Sequence, residues 1–384
     1  MAPMKLRKFF LVACVAALTA CGPVNPPMGM DTANAATLPL HKLKVPAGFS
    51  VSIYARVPNA RQMVLSPNGT LFVGNRDGNG NVYAVLDKDK DGTADDIIPF
   101  LKNLHSPNGV EFKDGSLYVA EISKIWRYDN VEANLRTPPK AILVTDKYPT
   151  DEHHGWKYIR FGPDGWLYVP VGAPCNVCES KDPRKAAITR IHPDGTGQEI
   201  YARGIRNTVG FDWDPKSNEL WFTDNGRDWL GDESPPDELN HAPRPGMHFG
   251  FPYGHGKGIK DPEFGAKRSC SEFTPCEWEM GPHVASLGMR FYNGKSFPPD
   301  YTGDIFVARH GSWNRSNRIG YDVVRVEMKG GHPVGMTPFV TGWLEKNGNV
   351  WGRPVDIVVA ADGALLVSDD FSGTVYRVAY TGKP

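Results

Sequence analysis

The sequence has no net charge, because its 43 basic and 43 acidic residues cancel. Without a basic excess there is no electrostatic basis for binding nucleic acid. After the first residues, the chain also lacks any apolar run long enough to cross a bilayer. Cysteine is scarce, with six residues among 384. These absences argue against a nucleic-acid-binding protein and against a protein with several membrane spans.

Turn formers and strand formers are abundant. The chain contains 41 glycines and 33 prolines, well above their usual shares. It also contains 18 phenylalanines, 14 tyrosines and 10 tryptophans. Glycine and proline favour tight turns, whereas aromatic residues favour strands. The composition therefore predicts many short strands and no long helices.

The first residues have the features of a targeting segment. Lys5 and Lys8 lie in a positive region, residues 9–17 are apolar, and Leu-Thr-Ala-Cys at 18–21 reads as a lipobox. We expect residues 1–21 to be a lipoprotein signal peptide whose Cys21 is acylated. An ordinary signal peptide cut nearby, or an uncleaved anchor, is the alternative.

Residues 22–38 are rich in proline, glycine, asparagine and alanine, which is typical of a flexible tether. The sequence thus predicts a periplasmic or cell-envelope protein that contacts the membrane only through a lipid on Cys21. Its oligomeric state is open.

Export determines how the other cysteines are interpreted. Cys175 and Cys178 lie close together, as do Cys270 and Cys276. Short local spacings outside the cytoplasm favour two disulfides, Cys175–Cys178 and Cys270–Cys276. A zinc site shared by the four thiols is the alternative.

One sequence pattern recurs six times: a short apolar strand, a turn usually containing Asp-Gly or Asn-Gly, and a strand in which apolar and polar residues alternate. Such turns between alternating strands are a strong hairpin signal, because their residues tolerate positive φ. Spacings of roughly 45 to 80 residues fit the blades of a propeller. We predict an all-β, six-bladed β-propeller over residues 39–384. Two β-sandwich domains would not explain six similar hairpins. The copies begin at Met63, Gly109, Ile159, Gly210, Gly288 and Val355.

The fourth interval, about 224–282, is too long for a plain blade connection and shows little hydrophobic periodicity. Long ordered loops in compact domains are usually functional. We therefore expect a loop insertion that walls a site at one end of the central channel.

Polar residues occur where several hairpins begin. His153 and His154 precede the third hairpin, where a neutral imidazole could act as a general base. In an extended segment the two rings would point to opposite sides, so at most one would be catalytic. Arg206 and Asn207 open the fourth hairpin and suit carboxylate or quinone oxygens. A structural histidine and an inter-blade salt bridge are the alternatives.

Two acidic segments could hold a hard cation. Asp224–Gly226 ends a hairpin and Asp237 follows, so turn carbonyls and a carboxylate could form an oxygen-only calcium site. The alternating aspartates of residues 87–91 imitate the first half of a calcium loop. Ile98 stands where that loop would have its glutamate, so a solvated turn is the alternative.

His310–Arg315 and Trp351–Pro354 occupy comparable positions in the last two blades. Polar and aromatic groups from several blades would then meet at one channel mouth. Such convergence predicts a small-molecule site.

From about Val45 to Tyr380 the chain resembles the soluble quinoprotein glucose and L-sorbosone dehydrogenases, which are six-bladed propellers. The resemblance is strongest to the sorbosone-dehydrogenase-like branch, through EHHGWKYIRFGPDGWLYVPVGAPCNVC, GIRNTVGF and ARHGSWNR. It implies two cofactors, pyrroloquinoline quinone (PQQ) and Ca²⁺.

The resemblance also implies roles for individual residues. His154, eight residues before Gly162, matches the general base. Arg206 also matches a catalytic residue, since it would stabilise charge on the quinone. The residues implied to bind the quinone or line its pocket are Arg206, Asn207, Asn108, Trp278, Arg309 and Arg353. The residues implied to bind calcium are Asn225, Gly226 and Arg227, through backbone carbonyls, and Asp237.

The chain departs from the glucose enzymes at several of their positions. Pro107, beside Asn108, replaces a pocket glutamine, and Arg309 or His310 stands where a quinone-binding lysine is found. Val355 replaces a late arginine, and His153 replaces the aspartate before the catalytic histidine. These differences leave the substrate open between an aldose sugar and a small, sorbosone-like aldehyde.

The implied activity is that of a PQQ- and calcium-dependent dehydrogenase, which would pass electrons to a quinone or cytochrome acceptor. Two alternatives come from other functional classes. A calcium-dependent hydrolase of the lactonase type would need Glu, Asn and Asp ligands at the channel centre, where this chain offers Arg and His. A non-catalytic propeller that binds a partner at the cell surface is the other, because a fold does not guarantee activity.

Overall fold

A computed structural model of the chain describes residues 38–382. These residues form six four-stranded antiparallel blades around a channel, which confirms the predicted six-bladed β-propeller. The signal peptide, Cys21 and nearly all of the predicted tether lie outside the described residues. No helix within residues 38–382 is long and apolar enough to span a bilayer.

Each blade runs from an innermost strand at the channel to an outermost strand at the rim. The strands of blades one to three are, in chain order, β2 (Ala60–Leu65), β3 (Leu71–Asn75), β4 (Gly80–Leu86), β5 (Asp96–Leu104), β6 (Gly109–Lys113), β7 (Ser116–Ala120), β8 (Ile125–Tyr128), β9 (Ile142–Thr145), β10 (Arg160–Phe161), β11 (Leu167–Val171), β12 (Ala187–Ile191) and β13 (Glu199–Arg203).

The strands of blades four to six are β14 (Phe211–Trp213), β15 (Leu220–Asp224), β16 (Pro236–Ala242), β20 (Trp278–Pro282), β21 (Ser286–Phe291), β22 (Ile305–Arg309), β23 (Asp322–Lys329), β24 (His332–Val340), β25 (Pro354–Val359), β26 (Leu365–Asp369), β27 (Thr374–Tyr380) and β1 (Phe49–Arg56). Three-residue 3-10 helices occur at Leu40–Lys42, Val131–Ala133, Cys270–Glu272 and Pro299–Tyr301.

The ring closes through strand pairing between distant parts of the chain. Strand β1 pairs antiparallel with β27, so the sixth blade combines three late strands with one early strand. Because the closing contacts are backbone hydrogen bonds, the first and last blades are held together as firmly as strands within a blade.

Apolar side chains fill the spaces between neighbouring blades. One cluster joins blades six and one, for example through Val73 and Leu366, and another joins blades four and five through Trp221 and Met289. These side chains are almost completely buried, because each blade is covered by its neighbours in the ring.

Residues 224–282 are only partly the loop insertion that the sequence predicts. Strands β16 and β20 lie within this segment and complete blade four. Between them, β17 (Met247–His248) adds to blade three, and β18 (Gly254–His255) pairs with β19 (Ile259–Lys260). Backbone pairing with blade strands, rather than hydrophobic periodicity, orders this part of the chain.

Of the two predicted disulfides, Cys175–Cys178 is present, whereas Cys270 and Cys276 are free thiols, so that prediction was wrong. The intervening segment is held at Thr274, whose N–H donates to His248 O. Cys270 starts a capped 3-10 helix beside Gly254, and Cys276 is buried.

Candidate active site at the channel mouth

The six innermost strands run in the same direction through the channel. A cavity of about 370 Å³ lies at the mouth where they begin, and we call it the upper cavity. Most of the residues in its wall have polar side chains, as the convergence of hairpin starts predicts. The residues that line it include Arg61, Arg76, His153, His154, Trp156, Arg206, Asn207, Asn225, Gly226, Asp237, His310, Trp313, Asn314 and Arg353.

His154 lies in this wall in a left-handed backbone conformation, with φ of 52°. Its Nδ1 is 2.9 Å from the carbonyl oxygen of Ala173, and since a carbonyl only accepts, Nδ1 carries the proton and Nε2 is the basic nitrogen. Burial, followed by the nearby charges of Arg206 and His153, lowers the pKa of His154 well below its usual range. The imidazole is therefore neutral at pH 7.

Close packing positions this histidine. A Cβ atom at Gly172 would lie 2.5 Å from the Cβ of His154, so only glycine fits there. His153 also lines the cavity, with its ring centroid 3.9 Å from that of His154. The expectation that the two rings point to opposite sides was wrong, because residues 152–155 form a turn rather than an extended segment.

Arg206 is held by hydrogen bonds on three sides of its guanidinium. Nε donates to Asn176 O at 2.8 Å, Nη1 to Asn225 O at 3.2 Å, and Nη2 to Asp228 Oδ2 at 3.1 Å. The amides of Arg206 and Asn207 donate to the buried carboxylate of Asp224. This arrangement presents both side chains to the cavity in fixed positions.

A second cluster of basic side chains surrounds the carboxylate of Asp370, which is buried behind the cavity wall. Arg61 Nη1 donates to its carboxylate at 2.8 Å, Arg353 Nε at 2.8 Å, and His310 Nε2 lies 3.0 Å away. Arg353 was predicted at this site from the sequence, whereas Arg61 and Asp370 were not. Arg61 opens the first hairpin as Arg206 opens the fourth, and that shared position was the signal.

The residues predicted to bind calcium separate into two groups. Asn225, Gly226 and Asp237 line the cavity. The carboxylate of Asp237 accepts hydrogen bonds from Gly226 N and Ser286 N, both at 3.0 Å. Arg227 directs its guanidinium away, to Asp261 and Glu263.

Three residues predicted to contact the cofactor do not line the cavity. Asn108 lies behind the wall, where it accepts from Arg61 Nε at 2.9 Å and donates to Lys157 O at 2.6 Å. Trp278 packs against the core between blades four and five. Arg309 forms a two-point ion pair with Asp322. Only the folded chain determines which arginine of a blade faces the channel.

Several aromatic residues border the opening. Trp229 and Trp313 are 67% and 66% exposed, and their rings meet edge to face with centroids 5.2 Å apart. Arg76 lies over the ring of Trp156 at 4.4 Å. Trp156 Nε1 and Asn314 Oδ1 are buried without a hydrogen-bond partner in residues 38–382. Polar atoms of this kind require a partner, so the wall is suited to a polar ligand.

The aspartates of residues 87–91 lie elsewhere, on the turn between β4 and β5. Asp87, Asp89 and Asp95 each bring an oxygen within 4.8 Å of the others. Their carboxylates accept from amides of the same turn, including Gly92 N at 3.0 Å. This cluster takes no part in the upper cavity.

A family model described as "Domain of unknown function (DUF7133)" matches residues 36–378. A protein of Borreliella burgdorferi named "Uncharacterized protein" is 35% identical over 88% of this chain and 91% of its own length. An aldose sugar dehydrogenase of Escherichia coli is 28% identical over 40% of this chain and 44% of its own length.

Solved propellers have the same architecture. The holo form of the PQQ domain of pyranose dehydrogenase from Coprinopsis cinerea superposes with a TM-score of 0.73. It is 20% identical to this chain, over 88% of this chain and 97% of that domain. At this identity the likeness concerns the fold.

Proposed function

The chain belongs to the DUF7133 family, and for this member we propose an oxidoreductase that oxidises a sugar with bound PQQ, with calcium at the same site. The observation that carries the proposal is the convergence of several arginines and a neutral histidine on one channel mouth. The named sugar dehydrogenases among its relatives and structural neighbours support the same activity.

The upper cavity fits a quinone that bears carboxylates. Arg61, Arg206 and Arg353 offer guanidinium groups, which bind carboxylates through planar pairs of N–H donors. Trp156 Nε1 and Asn314 Oδ1 provide a donor and an acceptor that lack partners in the described chain. We propose that these residues, with Asn207, hold PQQ.

Oxygen ligands suited to a calcium ion are offered by Asn225, Gly226 and Asp237. Carbonyl and carboxylate oxygens are the ligands that Ca²⁺ prefers. Asp237 Oδ1 and Oδ2 each accept one amide hydrogen bond, so lone pairs remain available on both oxygens. Arg227 would contribute at most its backbone carbonyl, because its side chain is paired elsewhere.

Each residue of the site has its own role in the proposed reaction. When bound, the quinone supplies a two-electron acceptor, and calcium makes it more electrophilic. His154 takes the proton of the substrate hydroxyl on Nε2, while Ala173 O fixes the tautomer through Nδ1. Arg206 is held rigid by Asn176 and Asp228, so it can stabilise developing negative charge without reorganising.

The rim of the cavity supports a sugar as the substrate. Trp229 and Trp313 present two exposed indole rings beside a polar opening. An indole covers an apolar face while neighbouring polar groups bind the edge of the same ligand, and a sugar ring has apolar C–H faces and hydroxyls at its edge. A small, sorbosone-like aldehyde is the alternative substrate for the same oxidation.

A lipid on Cys21 would hold the propeller at the membrane, near a quinone or cytochrome acceptor in the cell envelope. This part of the proposal rests on the targeting sequence in residues 1–21. Metabolic labelling with a radioactive fatty acid tests it: label is expected in the wild-type protein and absent from Cys21→Ser.

Reconstitution tests the activity. PQQ and calcium are added to the purified protein, and cofactor absorbance and dye reduction are followed with a panel of aldoses and small aldehydes. We expect saturable cofactor binding and substrate-dependent dye reduction. Arg353→Met should weaken cofactor binding, whereas Arg136→Met, which removes an exposed arginine of blade two, should not. Absence of cofactor binding by the folded protein would overturn the proposal.

A further inference from the structure

A second cavity, of about 290 Å³, lies at the opposite mouth of the channel, and we call it the lower cavity. It lies where the innermost strands end, so every blade contributes to its wall. One residue from each blade, in order, is Met63, Glu111, Arg160, Asp212, Arg290 and Val358. None of these residues lines the upper cavity.

Arg290 is exceptional among the buried arginines. Within residues 38–382 four arginines are buried, and three of them form an ion pair with an aspartate: Arg61 with Asp370, Arg206 with Asp228, and Arg227 with Asp261. Arg290, 7% exposed, has no carboxylate of the described chain within 4.0 Å. Its Nη2 donates to Tyr158 Oη at 3.1 Å, and its Nη1 has no partner.

The carboxylates near Arg290 are occupied by other donors. Asp212 accepts from Arg160 Nη1, and also from Phe291 N at 3.0 Å. Asp356 accepts from Met63 N at 2.8 Å and from Tyr158 Oη at 3.3 Å, so it reaches Arg290 only through the tyrosine hydroxyl. Against the effect of burial, Tyr158 and the surrounding carboxylates raise the pKa of Arg290, so its charge is compensated from a distance. What remains unsatisfied is the buried Nη1, and a buried donor without an acceptor is costly.

We propose that the lower cavity binds a small oxyanion, such as phosphate, sulfate or the carboxylate of a small organic acid, on the guanidinium of Arg290. The oxyanion would supply the acceptor that Nη1 lacks and the contacting negative charge that the other buried arginines have. The site is separate from the proposed redox site and does not depend on it.

Glu111 makes this binding depend on pH. It faces the lower cavity from blade two, opposite Arg160, Arg290, Asp212 and, behind Tyr158, Asp356. Burial raises the pKa of Glu111 to about 7, against the opposing effect of Arg160 and Arg290. Below that pH the carboxyl is neutral and no longer repels an anion, so binding is expected to tighten as pH falls through 7.

The test compares how inorganic phosphate raises the melting temperature of three proteins at constant ionic strength: wild type, Arg290→Met and Arg136→Met. The upper cavity also holds arginines, so only the part of the response lost in Arg290→Met is assigned to the lower cavity. We expect Arg290→Met to lower the affinity of the lower cavity for phosphate about tenfold or more, as for a lost charged hydrogen bond. Arg136→Met, which removes the same charge at an exposed position, should respond like wild type.

Glu111→Gln provides a test of opposite sign and does not require Arg290→Met to fold. At pH 8 it should bind phosphate more tightly than wild type. Its affinity for sulfate, whose charge is constant over this pH range, should lose the dependence on pH. Anomalous scattering from selenate would then place the anion beside Arg290. Identical phosphate responses of wild type and Arg290→Met, or of wild type and Glu111→Gln at pH 8, would overturn the proposal and leave water as the occupant.

Discussion

The Nδ1 atom of His154 lies 2.9 Å from the carbonyl oxygen of Ala173, which leaves Nε2 as the basic atom of a neutral imidazole. If this atom removes the substrate proton, His154→Ala should lower sugar oxidation by about 10²–10⁴-fold. PQQ binding should persist, because the arginines that would hold the cofactor remain. Dye reduction and cofactor absorbance of the reconstituted protein measure the two quantities separately.

His241→Ala is the matched control for this prediction. His241 is also partly buried and lies 3.0 Å from Glu219, but it belongs to blade four and does not line the cavity. Its loss should leave turnover nearly unchanged. Full activity of His154→Ala would show that another group removes the proton.

Asp370 is predicted to stabilise both the fold and the cofactor-binding arginines. Asp370→Asn would leave Arg61, Arg353 and His310 without their shared carboxylate. Removing one partner of a buried ion pair costs about 3–5 kcal/mol, so we expect a loss of unfolding free energy on that order, with weaker PQQ binding. Denaturant unfolding and a cofactor titration measure the two effects.

Asp322→Asn separates the two effects. Asp322 pairs with Arg309 outside the cavity. This variant should lose stability but bind PQQ like wild type. Equal loss of cofactor binding in both variants would mean that destabilisation alone explains it.

The buried amine of Lys157 should make the free energy of unfolding depend on pH. Its Nζ is buried and donates to Gly155 O, and burial lowers its pKa to about 7. In the unfolded chain the amine stays protonated up to about pH 10.4. Between these values the unfolded state binds one more proton, so stability should rise with pH by about 1.4 kcal/mol per unit.

Lys157→Met removes this contribution. The difference in unfolding free energy between wild type and variant should therefore grow in favour of wild type from pH 7 to 10. Denaturant midpoints at four or five pH values test this. Parallel curves would mean that Lys157 keeps its ordinary pKa in the folded protein.

The paired tryptophans at the rim predict a contribution to substrate binding. Trp313→Ala and Trp229→Ala should each raise KM for the sugar, on the order of tenfold for an aromatic binding residue, with a smaller change in kcat. A sugar titration that follows tryptophan fluorescence of the cofactor-free protein gives an independent measurement. Trp166→Ala, on blade three away from the cavity, is the control. An unchanged KM in both rim variants would contradict the prediction.

The sequence predicted the architecture because each blade is specified locally. The Asp-Gly and Asn-Gly turns and the alternating strands need only neighbouring residues to define a hairpin. The segment 224–282 was harder, because β16 and β20 lack a regular hydrophobic pattern and pair with each other across the long stretch that separates them.

The sequence predicted part of the lining of the upper cavity, and the roles of these residues stay predictions. His154, Arg206, Asn207, Arg353, Asn225, Gly226 and Asp237 line the upper cavity as expected. Asn108, Trp278 and Arg309 do not. A match of motifs places a residue in a strand or loop, but it does not determine which way the side chain points.

The sequence alone determined what depends on spacing: the number of blades, their hairpins, and the polar residues at the hairpin starts. Only the tertiary structure decided what depends on convergence. It brought Arg61 and Arg353, 292 residues apart in the sequence, to one carboxylate, and it left Arg290 without one. It also kept the thiols of Cys270 and Cys276 apart. The physical reason is that ring closure and backbone pairing between distant segments orient these side chains, and neither is encoded in local sequence.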